Sequence, residues 1–424
     1  MIKFLLKGLI RDRHRSLFPI LSISIGVMLT VFMQSWMTGI LGDMIDLNAK
    51  FTTGHTKVIT RAYSENIQQM ASDLAIIDVD NLTEILEKEL PKMTWIKRIR
   101  FGGILDIPNE SGETKSQGPV VGWGIDILSE NASDVERMDI GKSLQAGKIP
   151  TKRGEILISD ELAKKLNCSV GDDATFLGST MYGSMAMETF VVVGTVHFGT
   201  TAMDKGAIIV DLKDAQIALN MEDATSEILG YFESGKYDNE KANQVVAKFN
   251  KKHSNPDDEF SPIMLTLGQQ NDLNSMLEYM DSMVGIFVFV FLFAMSIVLW
   301  NIGLIGGLRR YGEIGLRLAI GENKGAVYRK MIYEAVLIGL IGSTVGSLIG
   351  LGLSYWMQTN GIDLSSMMQN NSLMMSTVMR AKITPLTFYI GFIPGMFSTI
   401  IGTALAGIGI YKRETAQLFR ELEN

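Results

Sequence analysis

Cysteine is nearly absent. Cys168 is the single thiol in 424 residues, so no intrachain disulfide framework is possible. It lies in the mixed apolar stretch Leu166-Asn167-Cys168-Ser169-Val170, which reads as the place of a small buried hydrophobe. The four histidines, His14, His55, His197 and His253, are far apart and show no metal-ligand spacing, so no metal site is expected. No Gly-x-x-x-x-Gly-Lys-[Ser/Thr] phosphate loop occurs. No nucleophile elbow frames any serine, so no catalytic residue is assigned and the chain is not expected to be an enzyme. Proline is scarce, at 9 residues, and charged residues make up 20%, against about 25% in ordinary soluble chains. These shortages exclude a disulfide-rich secreted module, a zinc module, a disordered tail and a basic nucleic-acid binder.

The charge that is present is sorted along the chain. Residues 42–282 hold 23 Lys+Arg and 38 Asp+Glu, a net of −15. The rest holds 16 Lys+Arg and 8 Asp+Glu, a net of +8. A soluble domain has no reason for this partition, whereas a membrane protein does.

Four runs are long and apolar enough to cross a bilayer, which takes about 20 residues. They are 17–41, 283–308, 335–357 and 386–411, and none contains Asp, Glu, Lys, Arg or His. The third span is extended to 331–357, which puts Glu334 at its edge. A signal peptide is the other reading of the first run. Its 16-residue charged lead and the lack of a nearby small-x-small site favour an uncleaved span. Basic residues mark the cytoplasmic side. The lead carries Lys3, Lys7, Arg11, Arg13 and Arg15. The loop after the second span carries Arg309, Arg310, Arg317, Lys324, Arg329 and Lys330, and the tail carries Lys412, Arg413 and Arg420. With four spans these three segments share one side. Both termini are therefore expected in the cytoplasm and residues 42–282 outside.

The expected fold is four transmembrane α-helices with a large mixed α/β domain inserted between helices 1 and 2. The parts are a cytoplasmic amphipathic leader (1–16), helix 1 (17–41), the outer domain (42–282), helix 2 (283–308), a cytoplasmic loop (309–330), helix 3 (331–357), a short outer loop (358–385), helix 4 (386–411) and a tail (412–424). In the leader, Ile2, Leu5, Leu6 and Leu9 recur at helical spacing beside Lys3, Lys7 and Arg11. In the outer domain, 58–60, 96–107, 155–158, 190–196 and 207–210 read as strands. Asp80 and Ser159 are expected to cap helices, and 269–281 reads as a helix entering the second span.

Three groups of residues stand out. Gly342, Gly346 and Gly350 recur every fourth residue in the third span, which predicts a face for close helix packing, with Gly339 and Gly352 adding to it. Met28, Met33, Trp36 and Met37 in the first span, with Phe287 and Phe291 in the second, are candidates for an apolar substrate chamber. The loop 358–385 is rich in methionine, with Met367, Met368, Met374, Met375 and Met379. The spans carry almost no ionisable group, so a proton-driven mechanism has nothing to work with. Energy for transport has to come from outside the chain.

A further group follows span two and reads Arg309-Arg310-Tyr311-Gly312-Glu313-Ile314-Gly315-Leu316-Arg317-Leu318-Ala319-Ile320-Gly321. It resembles the R-x-x-E-I-G-x-x-R-A-x-G stretch of the MacB/LolC/FtsX permeases, the four-span ABC exporters with a large periplasmic domain. Glu334, Ile23-Ser24-Ile25-Gly26-Val27, Gly154-Glu155-Ile156-Leu157-Ile158-Ser159 with its Val170-Gly171-Asp172 turn, and Phe190-Val191-Val192-Val193-Gly194 are similar to family positions in the same order. The tail from Arg413 departs from the family's proline-containing pattern.

The resemblance implies a multi-pass permease of the bacterial inner membrane with a periplasmic outer domain. It implies a separate cytoplasmic ABC ATPase in two copies, which binds the ATP and Mg, with no cofactor on this chain. It also implies a second permease chain, identical or paralogous. Arg310, Glu313, Ile314, Arg317 and Leu318 would form the coupling helix that meets the ATPase, with Ile314 and Leu318 on its contact face. Chain size and Gly54-His55-Thr56-Lys57-Val58 are most similar to the LolC/LolE branch, which implies release of a lipoprotein to a periplasmic carrier. The alternatives are MacB-like export of a peptide or amphiphile through an adaptor, and an FtsX-like subunit that signals to a cell-wall hydrolase.

Overall fold

A backbone in lipid must satisfy its own hydrogen bonds, so uncharged runs of this length fold as helices. The computed structural model describes residues 13–109, 111–129, 132–270, 273–308, 311–364 and 376–412. Among them, four stretches are long and apolar enough to cross a membrane: Leu17–Thr53, Ser282–Asn301, Lys324–Asn360 and Thr387–Ile408. The helices concerned are α1 (Arg13–Asn48), α2 (Leu273–Leu308), α4 (Lys324–Asn360) and α5 (Ser398–Lys412), with the short α3 (Tyr311–Ala319) before α4. The amphipathic pattern of residues 2–9 lies outside the described residues, as do Arg309, Arg310 and the tail from Arg413.

The chain divides into two compact units, and the membrane unit comprises Met1–Gly42, Tyr279–Ile362 and Met379–Asn424. Its inner seam is the glycine row of α4 against α1. A Cβ on Gly346 would lie 2.5 Å from the Ser24 carbonyl oxygen and 2.8 Å from the Val27 Cβ. On Gly342 it would lie 2.7 Å from the Ile23 Cγ2, and on Gly350 2.9 Å from the Val31 Cβ. Only hydrogen fits at these three positions. The Ser24 hydroxyl donates across the seam to the Gly342 carbonyl at 3.1 Å. Ile23, Val27 and Val31 pack there with Leu299 of α2 and Ile338 of α4. Gly339 contacts the fourth span instead, at Thr399 and Gly395, and Gly352 is exposed with nothing within reach of a Cβ.

The fourth span is not one regular helix. Pro394 has no N–H to continue the ladder. The backbone widens into a π-turn at Ile393–Phe397, between the short helix Thr387–Ile390 and α5. Gly391 and Gly395 let this turn sit directly on Val27 of α1 and on Ser343 and Ser347 of α4.

The outer unit comprises Asp43–Glu278 and Asp363–Val378. Its ten-stranded sheet is built from β1 (Thr56–Thr60), β2 (Met93–Pro108), β3 (Thr114–Ile125), β4 (Leu144–Gly147), β5 (Glu155–Ser159), β6 (Asp173–Ser179), β7 (Met185–Val196), β8 (Ala207–Asp211), β9 (Glu227–Phe232) and β10 (Pro262–Thr266). The order is β10-β1-β9-β2-β3-β8-β5-β7-β4, and β6 pairs with both β2 and β7. Strands β2, β3, β8, β5, β7 and β6 thereby close on themselves, which removes the open edges that invite aggregation. The 16-residue β2 serves two neighbourhoods. Its first half pairs with β9, and its second half with β3 and β6. Phe101, Leu105 and Ile107 point from that second half into a core with Val120, Ile156, Phe176, Val192 and Ile208. Each such side chain contributes about 1.5–3 kcal/mol through burial.

Two expected caps differ. The helix Val79–Glu89 begins after Asp78, which adopts a left-handed conformation with φ 54°, so Asp80 lies inside the first turn. Ser159 does precede the helix Asp160–Leu166, but its hydroxyl makes no capping bond. Cys168 is buried, and that burial pushes its thiol up to about 11. Met367, Met368, Met374 and Met375 lie outside the described residues. The end of their loop packs on the outer unit, where the Thr377 amide donates to the Gly199 carbonyl at 3.0 Å and Ser376 bridges Thr200.

Gly346→Leu is expected to disrupt folding of the membrane unit, and even Gly346→Ala should destabilise it by about 1–3 kcal/mol, because the clash is with backbone. Gly352→Leu should be neutral. Thermal unfolding in detergent, followed by loss of monodisperse protein, measures the difference. Equal melting of the Gly346 and Gly352 variants would show that the seam is not close-packed.

Candidate functional site

Buried polar side chains gather where the first long helix ends. Helix α1 gives way to a π-turn at Ala49–Thr53, in which the Gly54 N–H donates to the Ala49 carbonyl at 3.1 Å and the helix ladder ends. The outer unit supplies partners one by one. Tyr231 of β9 donates its hydroxyl to the Ala49 carbonyl at 3.0 Å. Arg98 of β2 donates from Nη2 to the Lys50 carbonyl at 3.1 Å and from Nη1 to the Phe51 carbonyl at 3.0 Å. Gln270, after β10, donates to the Thr53 carbonyl at 3.1 Å. A guanidinium at a helix C-terminus also lies at the favourable end of the helix dipole.

Arg98 is 1% exposed as a side chain and needs a counter-charge. Asp134 provides it bidentately, with Nε–Oδ2 at 2.6 Å and Nη2–Oδ1 at 2.5 Å. Burial works against the charged guanidinium, and the Asp134 charge and hydrogen bonds, together with Tyr231 and Glu227, more than offset it and hold Arg98 protonated. Phe51 is fully buried and meets Phe198 edge-on at 5.2 Å, within a cluster that includes Trp123, Ile125, Leu157 and Ile209. Lys50 reaches Asp139 at 2.7 Å.

A second buried ion pair adjoins the first, since Glu227 is the cross-strand partner of Arg98. Lys57 of β1 meets Glu227 of β9 at 2.5 Å, and burial lowers the lysine to about 8. His55, just before β1, accepts the Phe232 amide on Nδ1 at 3.0 Å and lies against Tyr231. Burial and the Arg137 charge lower it to about 4.

In the membrane unit, α3 is an amphipathic helix with two apolar edges. Ile314 is 4% exposed and packs with Leu318 on Val327 and Met331 of α4. This corrects the expected contact face: Ile314 and Leu318 anchor α3 to its own chain. Leu316 and Ile320, also four apart, are 51% and 79% exposed, with Arg317 exposed between them. The turn into α4 fixes this orientation. Gly321 sits at φ 94° and donates to the Leu318 carbonyl, while Glu322 N–H reaches the Arg317 carbonyl, a Schellman ending that calls for glycine. Glu322 pairs with Lys330, and that hydrogen bond holds its carboxyl below the usual range. Asn323 caps α4 by accepting from Gly325. The Glu313 side chain and all of Arg310 lie outside the described residues.

The chamber candidates are spread out. Met28, Met33, Trp36, Met37 and Phe291 are half-buried, and Phe287 is 58% exposed. Trp36 stacks obliquely on Phe32 at 6.3 Å. Most of α2 within its candidate span is open to the surroundings. Sequence reasoning did not single out Arg98, Asp134, Tyr231 or Gln270. The one signal was a run of basic residues, Lys97, Arg98 and Arg100, inside an otherwise apolar strand.

Comparison with known proteins gives two family matches. Residues 16–249 match the MacB-like periplasmic core domain, and residues 285–415 match the FtsX-like permease C-terminal domain. The macrolide export ATP-binding/permease protein MacB of Brucella abortus is 22% identical over 362 residues, covering 83% of this chain and 52% of that protein. The lipoprotein-releasing system transmembrane protein LolC of Xylella fastidiosa is 26% identical over 231 residues, covering 52% of this chain and 53% of that protein. The chain thus spans about half the length of these curated relatives. The crystal structure of the periplasmic region of MacB from Actinobacillus actinomycetemcomitans aligns at a TM-score of 0.35 and 11% identity, covering 55% of this chain and 96% of that one.

The depressed His55 yields a pH dependence. Between about pH 4 and 6.5 the unfolded chain binds a proton that the folded chain refuses, so stability falls as pH drops through that window. Melting of the chain in detergent from pH 7 to 4 should show the loss. His55→Asn, which offers the Phe232 amide an acceptor that does not titrate, should flatten it. An unchanged slope in that variant would remove His55 from the account.

Proposed function

We propose, since this chain belongs to the family of FtsX-like permeases with a MacB-like periplasmic core domain, that it is the membrane subunit of an ABC transporter whose ATPase lies on a separate chain. The observation that carries this reading is a contrast. Both family matches are present, yet the 424 residues hold no phosphate loop, and the four apolar runs hold no Asp, Glu, Lys, Arg or His. The free energy is imported.

The exposed edge of α3, Leu316, Arg317 and Ile320, is the surface offered to the ATPase. The open flank of α2 suits a second permease chain, giving two permeases with two ATPases. In this reading α3 and both termini are cytoplasmic and the outer unit is periplasmic, which the loop charges support. The substrate in this reading is an amphiphile taken from the outer leaflet, a lipoprotein handed to a periplasmic carrier. A second reading, export of a peptide or amphiphile through an adaptor, is favoured by the broader coverage of this chain by the MacB relative, 83% against 52% for LolC.

Two experiments test it. In a Cys168→Ala background, Ser111→Cys should react with an impermeant maleimide in cells whose outer membrane alone is permeable, and Ile320→Cys should not. The reverse pattern would overturn the orientation. Leu316→Asp and Ile320→Asp should leave insertion intact and reduce co-purification of the ATPase at least tenfold. Ile314→Asp should instead damage the packing of α3 on α4, because it buries a charge without a partner. Wild-type co-purification of both exposed-edge variants would sink the docking assignment.

A further inference from the structure

We propose that Arg98 and Asp134 form the mechanical joint through which movement of the first membrane helix is passed to the outer domain, Arg98 acting as a positioning residue. The inference rests on the functional reading above and goes beyond it by naming the point of transmission.

The geometry separates this pair from an ordinary buried salt bridge. Lys57–Glu227 joins the directly paired strands β1 and β9, with Glu227 across from Arg98 on β2, and is a bridge between strands rather than between a strand and a helix end. Arg98 uses one guanidinium for two tasks. Nε and Nη2 hold Asp134, while Nη1 and Nη2 hold the carbonyls of Phe51 and Lys50. Those two residues belong to the π-turn that directly continues α1. Tyr231 and Gln270 grip carbonyls on either side, and residues 49 and 51–53 are buried. A pull on residues 43–48 therefore meets four side-chain hydrogen bonds from β2, β9 and the segment after β10. A planar fork with five donors can hold a carboxylate and two carbonyls at once, which an ammonium cannot match. The joint is also fixed at neutral pH, since an arginine does not lose its proton there.

Removing one member of a buried pair strands the other charge and unfolds proteins for reasons unrelated to coupling. The informative variant replaces both members with apolar residues of similar volume, an exchange that buried ion pairs often tolerate. The test uses Arg98→Met/Asp134→Leu, with Lys57→Met/Glu227→Leu as the matched control, each reconstituted as the full permease with its ATPase in nanodiscs. A fluorophore on Ser234→Cys, in the Cys168→Ala background, reports the Mg-ATP-dependent change in the outer domain. Phosphate release reports hydrolysis.

The expected result for the Arg98/Asp134 double variant is hydrolysis within twofold of wild type and at least a tenfold loss of the fluorescence change. The control pair should keep both. Arg98→Lys, which retains charge but lacks the fork, should also lose the fluorescence change. A wild-type fluorescence change in the Arg98/Asp134 double variant would overturn the joint alone. If the wild-type permease neither binds an ATPase nor responds to Mg-ATP, the functional reading falls, and the joint falls with it.

Discussion

One guanidinium holds the last carbonyls of the first membrane helix inside a β-sheet. Buried arginine is costly unless every donor finds a partner, and Arg98 finds a carboxylate and two carbonyls. The arrangement answers a problem set by the fold. A helix that stops inside a soluble domain exposes carbonyls that water no longer reaches. Here they are satisfied from three separate segments of the outer unit, and the same bonds make the end of the helix inseparable from the sheet.

The membrane unit solves a different problem with different chemistry. Hydrophobic burial gives helices in lipid little reason to associate, so contact depends on close packing and on polar groups turned inward. Gly342, Gly346 and Gly350 bring α4 onto α1 until backbone meets backbone, and the Ser24 hydroxyl bonds across. On the neighbouring face, the π-turn at Pro394 rests on Ser343 and Ser347 through Gly391 and Gly395. Nothing in these seams titrates. Small residues and a close fit make these seams rigid, which is compatible with the proposed partner-driven subunit.

The four spans were legible in the sequence because an uncharged run of that length has one stable form in lipid. The glycine row was legible because its period matches the helix. Strands such as Glu155–Ser159 and Ala207–Asp211 showed in their β-branched runs. Which edge of α3 is exposed was not legible. Ile314 with Leu318 and Leu316 with Ile320 have the same spacing, and only the turn at Gly321 decides which pair meets α4. Arg98 was hidden for a related reason. Its partner Asp134 is 36 positions away, and the carbonyls it holds belong to backbone, which leaves no mark in side-chain pattern. Pro394 was visible, but a single proline does not reveal whether a span kinks, breaks or widens into a π-turn.

In the proposed reading this chain converts another subunit's ATP hydrolysis into motion. The most direct test of that reading is native mass spectrometry of the tagged chain purified from its own membranes, joined to a hydrolysis assay of the same sample. The account predicts two copies of this chain, or one with a paralogue, bound to two copies of a protein bearing a phosphate loop, with all hydrolysis lost when that protein is stripped away. A chain that purifies without any ATPase, or that hydrolyses ATP alone, would contradict it.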